Sequence, residues 1–171
     1  MHGLIRFVGI VNASVWFGAV VFFTIAAGPA FFSAEMASFL PRPHAGRAAE
    51  VIITRLANVQ IWCAVIAVLH LLVEYLFSGR RADQLTLGAL AAMLVINLAA
   101  RFWLLPRMHQ LQVIRYSDGA TPTDKAAAIS QFGLWHGLSS FGNLVVIAWL
   151  GYYLWLLTRS QPPGRLGSSL R

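Results

Sequence analysis

The stretch AAAISQFGLWHGLSSFGNLVVIAWLGYYLWLLT, residues 126–158, contains no Asp, Glu, Lys or Arg. A helix needs about 20 consecutive apolar residues to cross the core of a bilayer, and this stretch is longer than that. Its length and its lack of apolar–polar alternation exclude a membrane strand. The stretch therefore predicts a transmembrane helix, which we place at residues 131–157.

Three further apolar runs meet the same criterion, at residues 4–32, 57–77 and 85–105. The chain is 58% hydrophobic and 11% charged, whereas soluble domains have about 25% charged residues. The uncharged part of the first run is also too long for the apolar region of a signal peptide, so we expect a retained helix. We predict an all-α fold: one transmembrane domain over residues 1–171, an antiparallel up-down four-helix bundle with a flexible tail at 160–171.

The second, third and fourth helices are expected to extend beyond the membrane on one side, called side B here. Apolar residues recur at helical spacing after Pro106, so the third helix should continue to about Tyr116 and end at residues 117–119. Residues 121–124, TPTD, combine a capping Thr, Pro at the first helical position and an acid three residues after the cap. They predict the start of the fourth helix. The second helix should begin near residue 46, after the breaker PRP.

The net charge is +7, from 13 Lys+Arg against 6 Asp+Glu. Most of these cations lie at the ends of apolar runs, and no basic stripe with interleaved aromatic residues occurs. The charge therefore indicates anionic lipid head groups and membrane topology, not nucleic acid. The pair Arg80 and Arg81 lies on the opposite side, side A, with both termini. It favours termini inside, and we expect a bacterial-type plasma (inner) membrane.

Polar residues inside apolar runs are costly in a membrane and are therefore the best functional signal in this chain. Eight of them are predicted to lie in the side-B half of the bundle: Arg55, Asn58, Asn97, Arg101, His136, Ser139, Ser140 and Asn143. The four on the last helix follow i, i+3, i+4, i+7 spacing and form one stripe. Asn97 and Arg101 are four apart and share a face.

This cluster has two interpretations. A buried arginine with no nearby carboxylate needs amide, hydroxyl or carbonyl oxygens or an anionic ligand, so the cluster predicts a site for a small ligand or a partner protein. Alternatively, Ser and Asn side chains hold membrane helices together. Gly133 and Gly137 form a GxxxG motif beside the stripe, which favours close packing, self-association or contact with other membrane subunits.

A second candidate site lies on side A. His70 and Glu74 are four residues apart on the second helix, a spacing that suits a shared proton or a pair of metal ligands. The alternative is an ion pair at the helix end, where Glu74 reaches the head groups. Asn12 on the first helix is expected at the same level. The single cysteine, Cys63, excludes a disulfide framework and a thiol-based metal site.

Several motifs carry a family resemblance. The run from Trp135 to Leu144, WHGLSSFGNL, resembles the HGLSS…NL signature of the transmembrane-protein-205-like family. The segment 100–107, ARFWLLPR, is similar to that family's Arg/Trp-rich segment ending in Pro-Arg, and 16–18, WFG, with Pro29 also fits. The resemblance implies a four-helix membrane protein of largely unknown biochemical function, linked to metal-drug resistance in animals.

A more distant likeness runs to the copper-resistance D-type and HemJ-type membrane proteins, some of which bind haem. The segment from Trp16 to Pro29 is similar to the first helix of the HemJ type. That type has a haem-ligating His about two turns before the Trp, where this chain has Gly9.

Three functions remain open from the sequence. The first is a non-enzymatic membrane protein that binds a small ligand or partner through the eight-residue cluster, as a subunit of a larger complex or a transport accessory. The second is a haem- or metal-linked redox protein that uses His70 or His136. The third is a small transporter or a proton path that joins His70 and Glu74 to the cluster. Neither a nucleophile triad nor a phosphate-binding loop occurs in the sequence.

Overall fold

The computed structural model describes residues 2–78 and 84–159, and within these ranges all the regular structure is helical. The loop with Arg80 and Arg81 and the predicted tail at 160–171 lie outside the described residues. We number the helices α1 to α5; their bounds are 2–30 for α1, Ala34–Phe39 for α2, Arg42–Ser78 for α3, Gln84–Tyr116 for α4 and Pro122–Thr158 for α5.

Four of these helices, α1, α3, α4 and α5, are long and apolar enough to cross a membrane. The prediction of an all-α bundle is therefore confirmed, and the chain is an integral membrane protein. Helices α3 and α5 each contain 37 residues. At 1.5 Å per residue they are about 55 Å long, well beyond a hydrocarbon core of about 30 Å. The short helix α2 connects α1 to α3 on side B.

The packed interior lies where α1 contacts both α3 and α5. Trp16 and Val20 of α1 are fully buried there, against small residues of α3 such as Ala64 and Ala67 and against Leu150 of α5. Small residues let membrane helices approach closely, so a large indole fits beside α3. Helix α4 completes the bundle: its first part packs on α3 and its last part on α5.

Two π-helical turns interrupt the long helices, at Phe23–Ala27 in α1 and Ala100–Leu104 in α4. In both, the N–H of the residue that follows the turn donates to the carbonyl group five residues earlier, and a proline comes next, Pro29 or Pro106. Proline has no N–H, and its ring collides with the carbonyl group four residues before it. The carbonyl groups four residues before these prolines lie within the wider turns, and the turns relieve that collision.

The helix ends agree with the predictions except at the start of α3. Thr121 and Asp124 form the predicted capping box, and α4 ends at Tyr116 as expected. Helix α3, however, begins at Arg42, before the predicted start near residue 46. The reason is that Pro43 lies in the first turn of α3, where a missing N–H costs no helical hydrogen bond. The residues assigned to a breaker therefore start the helix.

Candidate functional site

A cavity of about 350 Å³ opens between α3 and α4 in the side-B half. Its volume is within the range of about 300–1,000 Å³ that is usual for small-molecule sites. Six of its seven lining residues come from α3 and one from α4: Arg47, Glu50, Val51, Thr54, Arg55, Asn58 and Arg101. We call it the arginine pocket. It contains three of the eight predicted cluster residues, Arg55, Asn58 and Arg101.

Arg101 is the contribution of α4 to the arginine pocket. It lies in the second π-helical turn and is half-buried. Its Nε donates to Oδ1 of Asn58 at 3.0 Å, so an amide oxygen is its partner, one of the oxygen types expected from the sequence. Its guanidinium also lies 5.4 Å from the ring centre of Phe102. The Asn58 bond fixes the orientation of the guanidinium from one side and leaves its two terminal amino groups for other acceptors.

Glu50 is the one carboxylate that lines the pocket, and it is already paired. Its Oε2 accepts from Nη1 of Arg47 at 2.9 Å and lies 3.0 Å from Nδ1 of His109. Among the residues that the structure describes, neither Arg55 nor Arg101 forms an ion pair. Arg55 is exposed, where a buried arginine was expected, and Arg101 is half-buried; both line the cavity without an ion-pair partner among the described residues.

Asn97 lies one turn before Arg101 on α4 and has only 6% of its surface exposed. Its Nδ2 has no hydrogen-bond partner. An unpaired buried amide is costly, because its lost hydration is not replaced. The same face of α4 therefore carries a second donor that the protein does not satisfy.

The stripe on α5 is separate from the arginine pocket. His136 and Ser140 are exposed, and both Ser139 Oγ and Ser140 Oγ donate to the backbone carbonyl of His136, at 2.9 and 2.8 Å. The imidazole stacks on the ring of Phe132, with 5.8 Å between the ring centres. Asn143 donates instead to Oγ1 of Thr24 in the first π-helical turn.

Gly133 and Gly137 lie on the same open face of α5. A Cβ built at either position would meet no atom within 4 Å, so the GxxxG motif does not pack against another described part of this chain. We call the surface formed by Gly133, His136, Gly137 and Ser140 the α5 face. The eight predicted residues thus divide between the arginine pocket with Asn97, the α5 face with the adjoining Ser139, and the link between Asn143 and Thr24.

The side-A candidates are arranged differently. His70 is buried, its Nε2 is 2.9 Å from the carbonyl oxygen of Ile5, and its ring lies against Gly9, where a Cβ would be 2.5 Å from Nε2. Its Nδ1 has no partner, and Glu74 is half-buried. Asn12 does not join them, because its Nδ2 donates to the carbonyl of Cys63 at 2.9 Å.

These contacts bear on the metal and haem alternatives. Within residues 2–78 and 84–159, no three His, Cys, Asp or Glu side chains come together as a metal site. The Nε2 of His70 is occupied by a backbone carbonyl on a crowded surface, and His136 lies on the α5 face in the other half of the bundle. The two histidines do not fit as the axial ligands of one haem.

Sequence reasoning missed four polar residues at or near the arginine pocket: Arg47, Glu50, Thr54 and His109. His109 is half-buried and connects the side-B extension of α4 to Glu50 of α3. Glu50 and His109 are 59 residues apart, so no local pattern links them. The signal that the sequence offered for the pairing with Arg47 and His109 was Glu50 itself, an isolated acid among the arginines of α3.

A comparison with known protein families finds a match that covers most of this chain. Residues 11–117 match the model of the Domain of unknown function (DUF4149). The chain belongs to the DUF4149 family. The matched region runs from α1 to the end of α4 and includes every residue of the arginine pocket, whereas the α5 face follows it. No curated protein and no solved structure matches this DUF4149 member. The likeness to the transmembrane-protein-205-like and copper-resistance D-type families stays a prediction.

Proposed function

We propose that this protein is a non-enzymatic integral membrane protein that binds a small ligand in the arginine pocket. The observation that carries the proposal is the pair Arg55 and Arg101, which line one cavity without forming an ion pair. Like charges in one site repel each other, and an anionic ligand between them offsets that repulsion. A ligand would therefore stabilise an arrangement that the protein alone leaves uncompensated.

The lining of the pocket suits binding more than chemistry. It offers guanidinium groups, the amide of Asn58 and the hydroxyl of Thr54, which hold and orient a ligand. The one group there that can act as a base is Glu50, whose Oε2 is engaged by Arg47 and His109. Because this pairing joins α3 to α4, we assign Glu50 a structural role.

Native mass spectrometry of the protein purified in mild detergent tests this function. We expect the wild type to carry a co-purified small molecule, and the double variant Arg55→Ala/Arg101→Ala to lose it. Arg42→Ala is the matched control, because Arg42 is exposed on side B and does not line the pocket. If the double variant and the wild type carry the same adducts, the pocket is not the binding site and the proposal is wrong.

The α5 face supports a second role, association of two copies of this chain. Gly133 and Gly137 have open space above them, the exposed His136 can donate a hydrogen bond to another helix, and Ser140 Oγ, which donates to the His136 carbonyl, can accept one. Small and polar residues are the usual contacts between membrane helices. In single-molecule photobleaching of reconstituted protein, Gly137→Leu should lower the two-copy fraction. Gly88→Leu, at another open glycine on α4, should not.

A further inference from the structure

We infer that the arginine pocket recognises a phosphate group. The inference rests on the proposed function and names the chemistry of its ligand. It follows from three features of the pocket: the orientation of Arg101, the set of donors around it, and its depth in the bilayer.

Arg101 is oriented as a phosphate-binding arginine would be. Its Nε donates to Asn58 at 3.0 Å, so the terminal amino groups form the free edge of the guanidinium. Two parallel N–H donors on a planar fork match two oxygens of a phosphate or a carboxylate. The fixed Nε reduces the freedom that Arg101 would lose on binding.

The remaining donors favour phosphate over carboxylate. One guanidinium fork is enough to satisfy the two oxygens of a carboxylate. The cavity adds a second guanidinium, from Arg55, and the hydroxyl of Thr54. A phosphate group offers three or four oxygens and carries one to two negative charges, so it can use two arginines and a hydroxyl at once.

The depth of the pocket also fits a phosphate. Asn58 lies 20 residues before Ser78, the end of α3 on side A, a rise of about 30 Å along the helix. This equals the thickness of the hydrocarbon core, about 30 Å. Arg101 lies 17 residues after Gln84, a rise of about 25 Å. Taking these side-A helix ends as the side-A edge of the core places both residues near the side-B boundary, where lipid phosphates lie and where a soluble phosphate compound also has access.

A binding experiment with four probes tests this inference and separates the two sources of phosphate. The probes are inorganic phosphate, dioctanoyl phosphatidic acid, dioctanoyl phosphatidylcholine and octanoate, each titrated into detergent-purified protein while the dissociation constant is measured by microscale thermophoresis. We expect at least one of the two anionic phosphate probes to bind about tenfold or more tightly than octanoate, since charged hydrogen bonds are added. Equal affinity for octanoate and for the better phosphate probe would overturn the inference.

The two phosphate probes distinguish the sources. If phosphatidic acid binds and inorganic phosphate does not compete with it, the ligand is a lipid head group; if inorganic phosphate competes, a soluble phosphate compound is sufficient. Either result supports phosphate recognition. Phosphatidylcholine should bind more weakly than phosphatidic acid, because its choline places a positive charge beside the arginines.

Conservative variants separate recognition by the planar guanidinium groups from attraction by charge alone. Arg55→Lys/Arg101→Lys keeps both charges but removes the planar forks, and we expect it to weaken phosphate binding about tenfold. Arg42→Lys, outside the pocket, should bind like the wild type. Unchanged binding in the double lysine variant would overturn the inference.

Failure of the inference is distinguishable from failure of the proposed function. If the wild type carries a small molecule that the double alanine variant loses, and that molecule contains no phosphorus, the pocket binds a ligand of another class. The proposed function would then stand and the inference would fall. If the double alanine variant loses nothing, both fall.

Discussion

In the side-A half of the bundle, polar side chains lie in the packed interior, where some bond to backbone carbonyl groups and others, such as Tyr153, have an unpaired polar atom, whereas in the side-B half two arginines line an open cavity. His70 contacts the carbonyl of Ile5, and Asn12 donates to that of Cys63. Asn97 Nδ2 is buried and unpaired in the other half, and Arg55 lines an open cavity there. Polar groups at side A are thus enclosed by packing, whereas at side B the arginines remain open to a ligand and the α5 face to a second copy.

The largest expected effect is on the side-A contact between Gly9 and His70. In Gly9→Ala the new Cβ would be 2.5 Å from Nε2 of His70, so the ring must move and lose its bond to the Ile5 carbonyl. We expect unfolding in sodium dodecyl sulphate, followed by tryptophan fluorescence, to show a loss of about 1–3 kcal/mol, as for other overpacked sites.

The control for this substitution is Gly18→Ala on the same helix, where a Cβ meets no atom within 4 Å. Its stability should be equal to that of the wild type or slightly higher, because alanine favours the helix. The double variant Gly9→Ala/His70→Ala should recover part of the loss. Equal stability of Gly9→Ala and Gly18→Ala would show that His70 does not require a glycine at position 9.

The second comparison uses two asparagines of similar burial, 8% exposed for Asn12 and 6% for Asn97. Asn12→Leu removes a hydrogen bond to the Cys63 carbonyl and should cost about 0.6–2 kcal/mol in the same unfolding assay. Asn97→Leu removes an amide whose Nδ2 is unpaired, so its cost should be smaller or it should stabilise the fold. Equal losses would contradict the difference in hydrogen bonding between these two asparagines.

The third comparison uses two arginines. Arg6 donates to the carbonyls of Leu157, Thr158 and Arg159 at 2.9–3.2 Å, so it caps the end of α5. Arg6→Gln should lower the free energy of unfolding by about 0.3–1 kcal/mol, the usual value of a cation at a helix C-terminus. Arg101→Gln should change stability less than that, yet reduce ligand retention in native mass spectrometry. If Arg101→Gln destabilises the fold more than Arg6→Gln, Arg101 is mainly structural.

The features predicted correctly from the sequence depend on local information. The spans follow from apolar runs, and the start of α5 follows from the capping residues Thr121 and Asp124, because a helix end is determined by its nearest residues. The depth of Arg101 in the bundle, level with Asn58, also follows from the sequence. The order and length of antiparallel helices fix the depth of each residue. The contact between these two side chains is 3.0 Å.

The features that were not predicted depend on how the helices are turned. Periodicity places His136 and Ser140 on one face, but it does not say which neighbour that face meets, and in the structure it faces outward. A π-helical turn precedes each of Pro29 and Pro106, and it changes the direction in which its residues point. Arg101 lies in the second of these turns. The prolines were visible in the sequence, but whether a helix kinks, ends or widens at a proline depends on its neighbours.

The smallest expected effect on the isolated chain is at the α5 face. His136 is exposed and stacks only on Phe132, which is one turn away on the same helix. The hydroxyl of Ser140 bonds to a carbonyl of its own helix, and such bonds contribute little to helix stability. In dilute detergent, His136→Ala and Ser140→Ala should therefore change the free energy of unfolding by less than about 0.5 kcal/mol.

The His136 variant should behave differently when two copies of the protein meet in a membrane. In vesicles at high protein density, His136→Ala should lower the two-copy fraction, because a polar group facing hydrocarbon gains most from a partner helix. Leu138→Ala, at an exposed position on another side of α5 at the same depth, is the control and should leave that fraction unchanged. A large loss of stability in dilute detergent would mean that His136 packs within a single chain. An unchanged two-copy fraction in vesicles would mean that the α5 face meets lipid, and the contrast between the two halves would then rest on the arginine pocket alone.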